Sequence, residues 1–399
     1  MTELEIPPEE WMAGHPPPAE RTVRFADGSY YRWPRLRWSF SHMEQLVPTK
    51  AAWRGPGAAH ALPVEPVALD HLEVETTDGT AMRWEEVMSS THTDALAVMH
   101  RGHLVHEEYF GATGPHDRHL LMSCNKSMVG TVAECLIHEG TLDDRTLVST
   151  IIPELASSAW AEATVRQVMD MTVGMRFEEN YLDPESDVWT FLRATGMIPG
   201  GSGDPTIFEF LAAIAPEGPH GEVFAYREPN IFVLGWLVRR VAGKDLATLA
   251  SEWVWRHIGA EHDWLYMVDG TGAETTAAAT LRDFVRFGSL ILRGGEVAGR
   301  RVLDPDVVSA ILGGGDPEVF ARGGYDTLPG WSYRSQWWYR HVEGRVCPVA
   351  RGAHGQVLYL DPANDLVVVR FGSSPQPPSA LLDHVMWPMI DAITARLVD

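Results

Sequence analysis

The stretch "LLMSCNKSMVG" (residues 120–130) places a hydroxyl, Ser123, three positions before an amine, Lys126. Positions i and i+3 share a helix face, so this spacing brings the two groups within hydrogen-bond reach. A lysine held among Leu121, Met122, Met128 and Val129 loses hydration of its charged form, which lowers its pKa and favours a neutral amine able to act as base. Serine is a weak nucleophile until an adjacent base activates it. A helix start adds free N–H groups and the positive end of the dipole, which stabilise the charge that develops when serine attacks a carbonyl. Cys124 follows Ser123, but an adjacent helical position points about 100° away and is read as packing beside the site. S-x-x-K recurs by chance in a chain of this size, so the surrounding elements must decide.

Those elements are partly readable. Met128, Val132, Cys135, Leu136 and Glu139 recur at spacings of three and four, predicting a helix over 123–139 closed by Gly140. "ALAVMHRGHLVHEEYF" (95–110) predicts a β-hairpin through its short glycine-containing link. Residues 165–265 read as mostly helical, through "TVRQVMDMTVG", "FEFLAAIA" and "NIFVLGWLVRRVAG". "LDPESDVWTFLRATGMIPGGSGDPT" is expected to be a long loop, flexible in its later part. A helix at "LRDFVRFGSLILRGG" precedes strand-like runs at "SQWWYRHVE", "GQVLYLDP" and "DLVVVRFGSS", and a terminal helix is expected at 379–397. Strands before and after a helical block predict one α/β sandwich whose halves are distant in sequence. The expected organisation is an irregular N-terminal wrap over 1–60, a discontinuous sandwich from 61–165 and 270–399, and a helical subdomain over 166–269.

Composition narrows the function. With 54 acidic against 32 basic residues the formal charge is −22, which disfavours a nucleic-acid partner. The acidic, proline-rich beginning has neither the basic nor the apolar region of a secretory signal, and the run "IFVLGWLV" is far too short to span a bilayer. A soluble, cytoplasmic protein without a membrane partner is expected. Three scattered cysteines and the absence of HExxH or CxxC spacing predict neither disulfides nor a catalytic metal, despite 17 histidines.

"HDRHLLMSCNKS" (116–127) resembles the nucleophile segment of serine hydrolases with the class C β-lactamase, penicillin-recognising fold, and is most similar to the nylon-oligomer (6-aminohexanoate-dimer) hydrolases. "RWSFSHMEQLVP", "VMDM", "YLDPESDV", "SYRSQWW" and "GAHGQVLYLDP" resemble further segments of that family in the same order, from about residue 37 to 375. The resemblance implies an α+β fold, an antiparallel β-sheet flanked by helices with an all-helical insertion subdomain. It implies Tyr226, in "FAYREPNIFVLGW", as a third catalytic group able to shuttle a proton, and the N–H groups of Ser123 and Ala353 as the oxyanion hole. "RGAHGQ" replaces the lysine-bearing strand motif of β-lactamases, so efficient β-lactam hydrolysis is not expected. His354 is open between substrate contact and filling space.

For the substrate, the resemblance implies Tyr181 on a closing loop and Trp338 as an aromatic wall, with Trp337 facing the core. Leu192 stands where efficient nylon-oligomer enzymes carry an acid, and Met197 where they carry a tryptophan. Glu274 and Thr275 are expected to reshape the pocket. The expectation is hydrolysis of an ester or amide with a bulky acyl group, without cofactor, by a chain whose oligomeric state is open, with a homodimer as the state the resemblance suggests. Acyl transfer to an amine or alcohol is the alternative reaction, and a silent binding protein keeping the fold is the reading from another class.

Overall fold

The computed structural model describes residues 3–181 and 183–398. At its centre seven antiparallel strands run in the order Ser332–Arg334, Trp337–Val342, Arg345–Gly352, Gln356–Asp361, Leu366–Gly372, Thr93–His100 and His103–Tyr109. The join between the two distant parts of the chain is the pairing of Leu366–Gly372 with Thr93–His100. Alternation along these two strands explains the layers. Ala95, Ala97, Val367 and Val369 face one apolar cluster with the helices Asn125–Glu139 and Leu281–Leu292. Leu96, Val98, Leu366 and Val368 face a second cluster with the terminal helix Asp383–Val398. Strands covered on both faces read as near-continuous apolar runs, as "LVVV" does.

A second, four-stranded antiparallel sheet runs Thr49–Ala52, Trp264–Val268, Glu274–Ala279, His119–Leu120. Its last strand feeds directly into the Met122–Cys124 turn that carries Ser123. Two of its strands lie where helix or irregular chain was expected. The Trp264–Val268 to Glu274–Ala279 hairpin turns at Asp269, whose carboxylate accepts from the N–H groups of Thr271 and Ala273.

Other differences have local causes. Arg345–Gly352 is a central strand despite Pro348, which pairs with Tyr339 without an N–H to give; proline argues against a central strand on sequence grounds. The long loop after Tyr181 contains a helix, Asp187–Ala194, whose Val188, Phe191 and Leu192 are buried. The expected helix opening at Ser123 starts at Asn125 and is preceded by a 3-10 turn, Met122–Cys124. Among the described residues no helix is long and apolar enough to cross a membrane.

Residues 3–47 form short turns rather than strands, yet they bury Trp11, Tyr30, Trp38 and Phe40 against Leu120, Met122 and Ala278. This wrap therefore rests on the approach to Ser123.

Candidate active site

Ser123 sits in the 3-10 turn, one residue after Met122, whose φ of 49° is a left-handed conformation that costs a non-glycine residue about 1–3 kcal/mol. The helix that follows passes close under the Ser335–Gln336 turn: a Cβ on Gly130 would meet the Ser335 carbonyl oxygen at 2.1 Å, so glycine is required there. The Ser127 hydroxyl donates to the Gln336 carbonyl at 2.9 Å and pins the same contact. One turn along from Ser123, Lys126 Nζ donates to Ser123 Oγ at 2.7 Å.

The lysine is buried, as its apolar neighbours implied, but it is not an isolated amine. Nζ also donates to Glu228 Oε2 at 2.8 Å and Oε1 at 2.9 Å, forming an ion pair. The Ser123 hydroxyl donates to the same Oε1 at 3.1 Å. Ser123, Lys126 and Glu228 thus close a triangle of hydrogen bonds in which the carboxylate accepts from both partners.

Tyr226 forms the next wall. Its N–H donates to the Tyr325 hydroxyl at 2.8 Å, and its ring stacks on Trp338 with centroids 5.2 Å apart. Lys126 Nζ stands 5.2 Å from the ring centroid, and the phenol reaches the Ser123 hydroxyl. Burial, then the nearby Glu228 charge, push the Tyr226 pKa well above its ordinary value, so this phenol keeps its proton. Cys124 is fully buried, and burial raises its pKa, leaving an inert thiol beside Ser123.

Ala353 lies across the opening at the end of the Arg345–Gly352 strand. The close approach depends on Gly352, where a Cβ would stand 2.6 Å from the Leu121 carbonyl oxygen. Ser123, Tyr181, Glu228 and Ala353 line two cavities that meet at Ser123. The inner cavity, about 80 Å³, is walled by Phe191, Leu192, Met197, Ile231 and Phe232. The outer one, about 320 Å³, is walled by Tyr226, Tyr325, Leu328, Trp338 and Arg351. A neighbouring open cleft of about 860 Å³ shares Glu179 and Arg227 with the outer cavity but contains no nucleophile.

Most residues singled out in the sequence converge here: Ser123, Lys126, Tyr226, Ala353, Tyr181, Leu192, Met197 and Trp338. Trp337 points into the opposite core, as strand alternation requires. Two do not converge. Glu274 is buried behind the wall, paired with Arg239 at 3.0 Å and near Lys50 at 3.5 Å, while its neighbours Thr275 and Thr276 line the inner cavity instead. His354 is also buried and lines neither cavity. Its Nδ1 pairs with the Ser374 carbonyl at 2.6 Å, its Nε2 with the Tyr31 hydroxyl at 2.9 Å, and burial lowers its pKa to about 4. It positions Tyr31, which lines the inner cavity.

Three contributors went unnoticed in the sequence: Glu228, Tyr31 and Glu179. Glu228 carried a signal, a charge two residues after Tyr226 immediately before an apolar helix. Tyr31 and Glu179 carried none, because only the fold brings them near.

The family profile described as Beta-lactamase matches residues 83–385. The chain belongs to the beta-lactamase family. Within that family it is 38% identical over 355 residues to the 6-aminohexanoate-dimer hydrolase of Paenarthrobacter ureafaciens, covering 88% of each chain. A solved structure from Bacillus anthracis that carries a 6-aminohexanoate-dimer hydrolase assignment superposes with a TM-score of 0.85 at 29% identity, over 94% of this chain and 99% of that one. The penicillin-binding protein homologue of Pyrococcus abyssi shares the fold at a TM-score of 0.58 and 13% identity, over 77% of this chain and 76% of that one. This beta-lactamase-family protein is a hydrolase of amide or ester bonds with an α+β, penicillin-binding-protein-like fold.

Proposed function

We propose that the protein is a serine hydrolase that cleaves its ester or amide through an acyl intermediate on Ser123. The observation that carries this reading is the 2.7 Å contact between Lys126 Nζ and Ser123 Oγ at the point where the two cavities meet. Ser123 Oγ attacks the carbonyl carbon, the N–H groups of Ser123 and Ala353 receive the oxyanion, and the polar groups around Oγ, Lys126 and Tyr226 among them, convey the nucleophile's proton to the leaving group. Hydrolysis of the acyl-enzyme reverses these roles with water in place of the leaving group. The reading asks for no cofactor.

Tyr226 lines only the outer cavity, so the leaving group departs there and the acyl chain occupies the inner one. A volume of about 80 Å³ compares with the ~10–15 Å³ that one enclosed water needs, room for roughly five to eight non-hydrogen atoms. This favours a short apolar acyl group over the bulky one expected from sequence. The 6-aminohexanoate dimer named for the relatives carries an ammonium that Leu192 offers nothing to hold. Short-chain p-nitrophenyl esters are expected to turn over faster than that dimer; the reverse order would reject the substrate reading.

Acyl transfer is the second reading, supported by the wall of Tyr325, Leu328, Trp338, Pro377 and Pro378 around the leaving-group side, which would favour an organic acceptor over water. Product analysis with added amines separates the two. The acyl-serine step itself is tested by intact-mass detection of a fluorophosphonate adduct, expected on the native chain and absent from Ser123→Ala.

A further inference from the structure

Glu228 stands at the start of the helix Pro229–Ala242, preceded by Tyr226 and Arg227, yet its side chain does not cap that helix. It turns to Ser123 and Lys126 instead, and Pro229 at the first helical position fixes the turn that aims it. All three donor positions of the Lys126 ammonium are used by Ser123 Oγ and the two Glu228 oxygens. In this arrangement the lysine gives hydrogen bonds to the nucleophile and the carboxylate receives one from it.

We propose that Glu228 is a catalytic residue, the general base that takes the Ser123 proton during acylation, and that Lys126 serves as the charged group that holds both. The proposal rests on the acyl-serine reading above. The Ser123 O–H bond breaks as the Oγ–C bond forms, the proton passes to Glu228 Oε1, and the carbonyl electron pair moves to the oxyanion. On collapse the bond from carbon to the leaving atom breaks, and that atom takes the phenolic proton of Tyr226. Lys126 reprotonates the phenolate, and Glu228 returns its proton to Lys126, so the charges end where they began.

Glu179 stands behind Glu228. Its carboxyl points inward although the residue is partly exposed, with Oε2 enclosed and without a hydrogen-bond partner among the described residues. The Glu228 N–H approaches this carboxyl, and the Tyr181 hydroxyl donates to Oε1 at 3.4 Å. Burial, then the Glu228 charge, raise the Glu179 pKa to about 8. A Glu179 carboxyl held neutral at pH 7 puts no like charge beside the Glu228 carboxyl that accepts from Ser123 and Lys126. The groups near Glu228 are Ser123 and Lys126 from the helix Asn125–Glu139 and its leading turn, Glu179 and Tyr181 from the loop, Tyr226 and Arg227 from its own segment, and Tyr31 and Tyr333, whose phenols feel its charge.

The test compares acylation rates of Glu228→Gln, Glu228→Ala and the native chain with p-nitrophenyl acetate across pH 5–9, adding formate to the alanine variant. The amide retains shape but is no base at these pH values, so Glu228→Gln should acylate about 100-fold slower or worse. Formate should restore a substantial part of the Glu228→Ala rate, a rescue that a purely structural role would not give. A Glu228→Gln rate within about threefold of native, or a folded Glu228→Ala that formate leaves unchanged, overturns the proposal. A fluorophosphonate adduct persisting on Ser123→Ala would instead reject the acyl-serine reading, whatever the Glu228 variants do.

Discussion

Leu192 forms part of the inner cavity's wall and brings no charge to it. Its side chain is 9% exposed and faces the cavity beside Phe191 and Met197. An ammonium lodged against Phe191, Leu192 and Met197 would be desolvated with no carboxylate among those three to pair with. Leu192→Asp should therefore raise kcat/KM for 6-aminohexanoate dimer about tenfold, through a charge-assisted contact, while lowering that for short apolar esters. Paired kinetics on the two substrates check it. Glu179 gives a second prediction at this scale. Its carboxyl stays protonated in the folded chain up to about pH 8 but ionises near pH 4.5 when unfolded. The folded state thus binds the extra proton between those values, and stability falls as pH rises through that window. Glu179→Gln should remove this loss, raising Tm relative to the native chain at pH 8 and above and little at pH 4. Ser123 and Lys126 were legible because i and i+3 is a local relation. Glu228 was not, because its partners lie 102 and 105 positions away.

At the scale of elements, the site is the meeting of a turn and a strand end. Gly352 lets the Arg345–Gly352 strand approach Leu121, and that approach sets Ala353 opposite Ser123. Gly352→Ala places a methyl where only 2.6 Å is available to a backbone oxygen, so the strand end must move. On the proposed role of the Ala353 N–H as an oxyanion donor, whose loss costs about 100-fold or more in kcat, Gly352→Ala should cost that much with KM and the unfolding midpoint changed far less. Steady-state kinetics with a parallel denaturant titration separates the two effects. The helix that follows Ser123 and the 95–110 hairpin were readable from periodicity and a glycine link. The strand beside Ala353 was hidden by Pro348, and the Trp264–Val268 strand by its position among helices. In both cases pairing partners distant in sequence override the local pattern.

At the scale of the molecule, the N-terminal wrap looks like decoration in sequence but acts as a buttress. Its residues lack periodicity because they make turns, each aromatic finding its place only against the finished body. Phe40 is fully buried, and its ring meets His119 and His354 edge-on at 5.9 and 5.1 Å. Its carbonyl accepts from the Leu120 N–H at 2.7 Å, two residues before the strained Met122. The wrap therefore supports the nucleophile turn on one side and, through His354 and Tyr31, the cavity wall on the other. Phe40→Ala should cost about 3–5 kcal/mol of stability, the usual loss for a large buried aromatic. A strained conformation persists only while its surroundings enforce it, so the same variant should also acylate more slowly at temperatures where it remains folded. The comparison that decides this is Trp160→Ala, equally buried but hydrogen-bonded to Asn230 in the helical region. If both variants lose similar stability and only Phe40→Ala slows acylation in a stopped-flow measurement, the wrap holds the site; equal slowing would reduce its role to general stability.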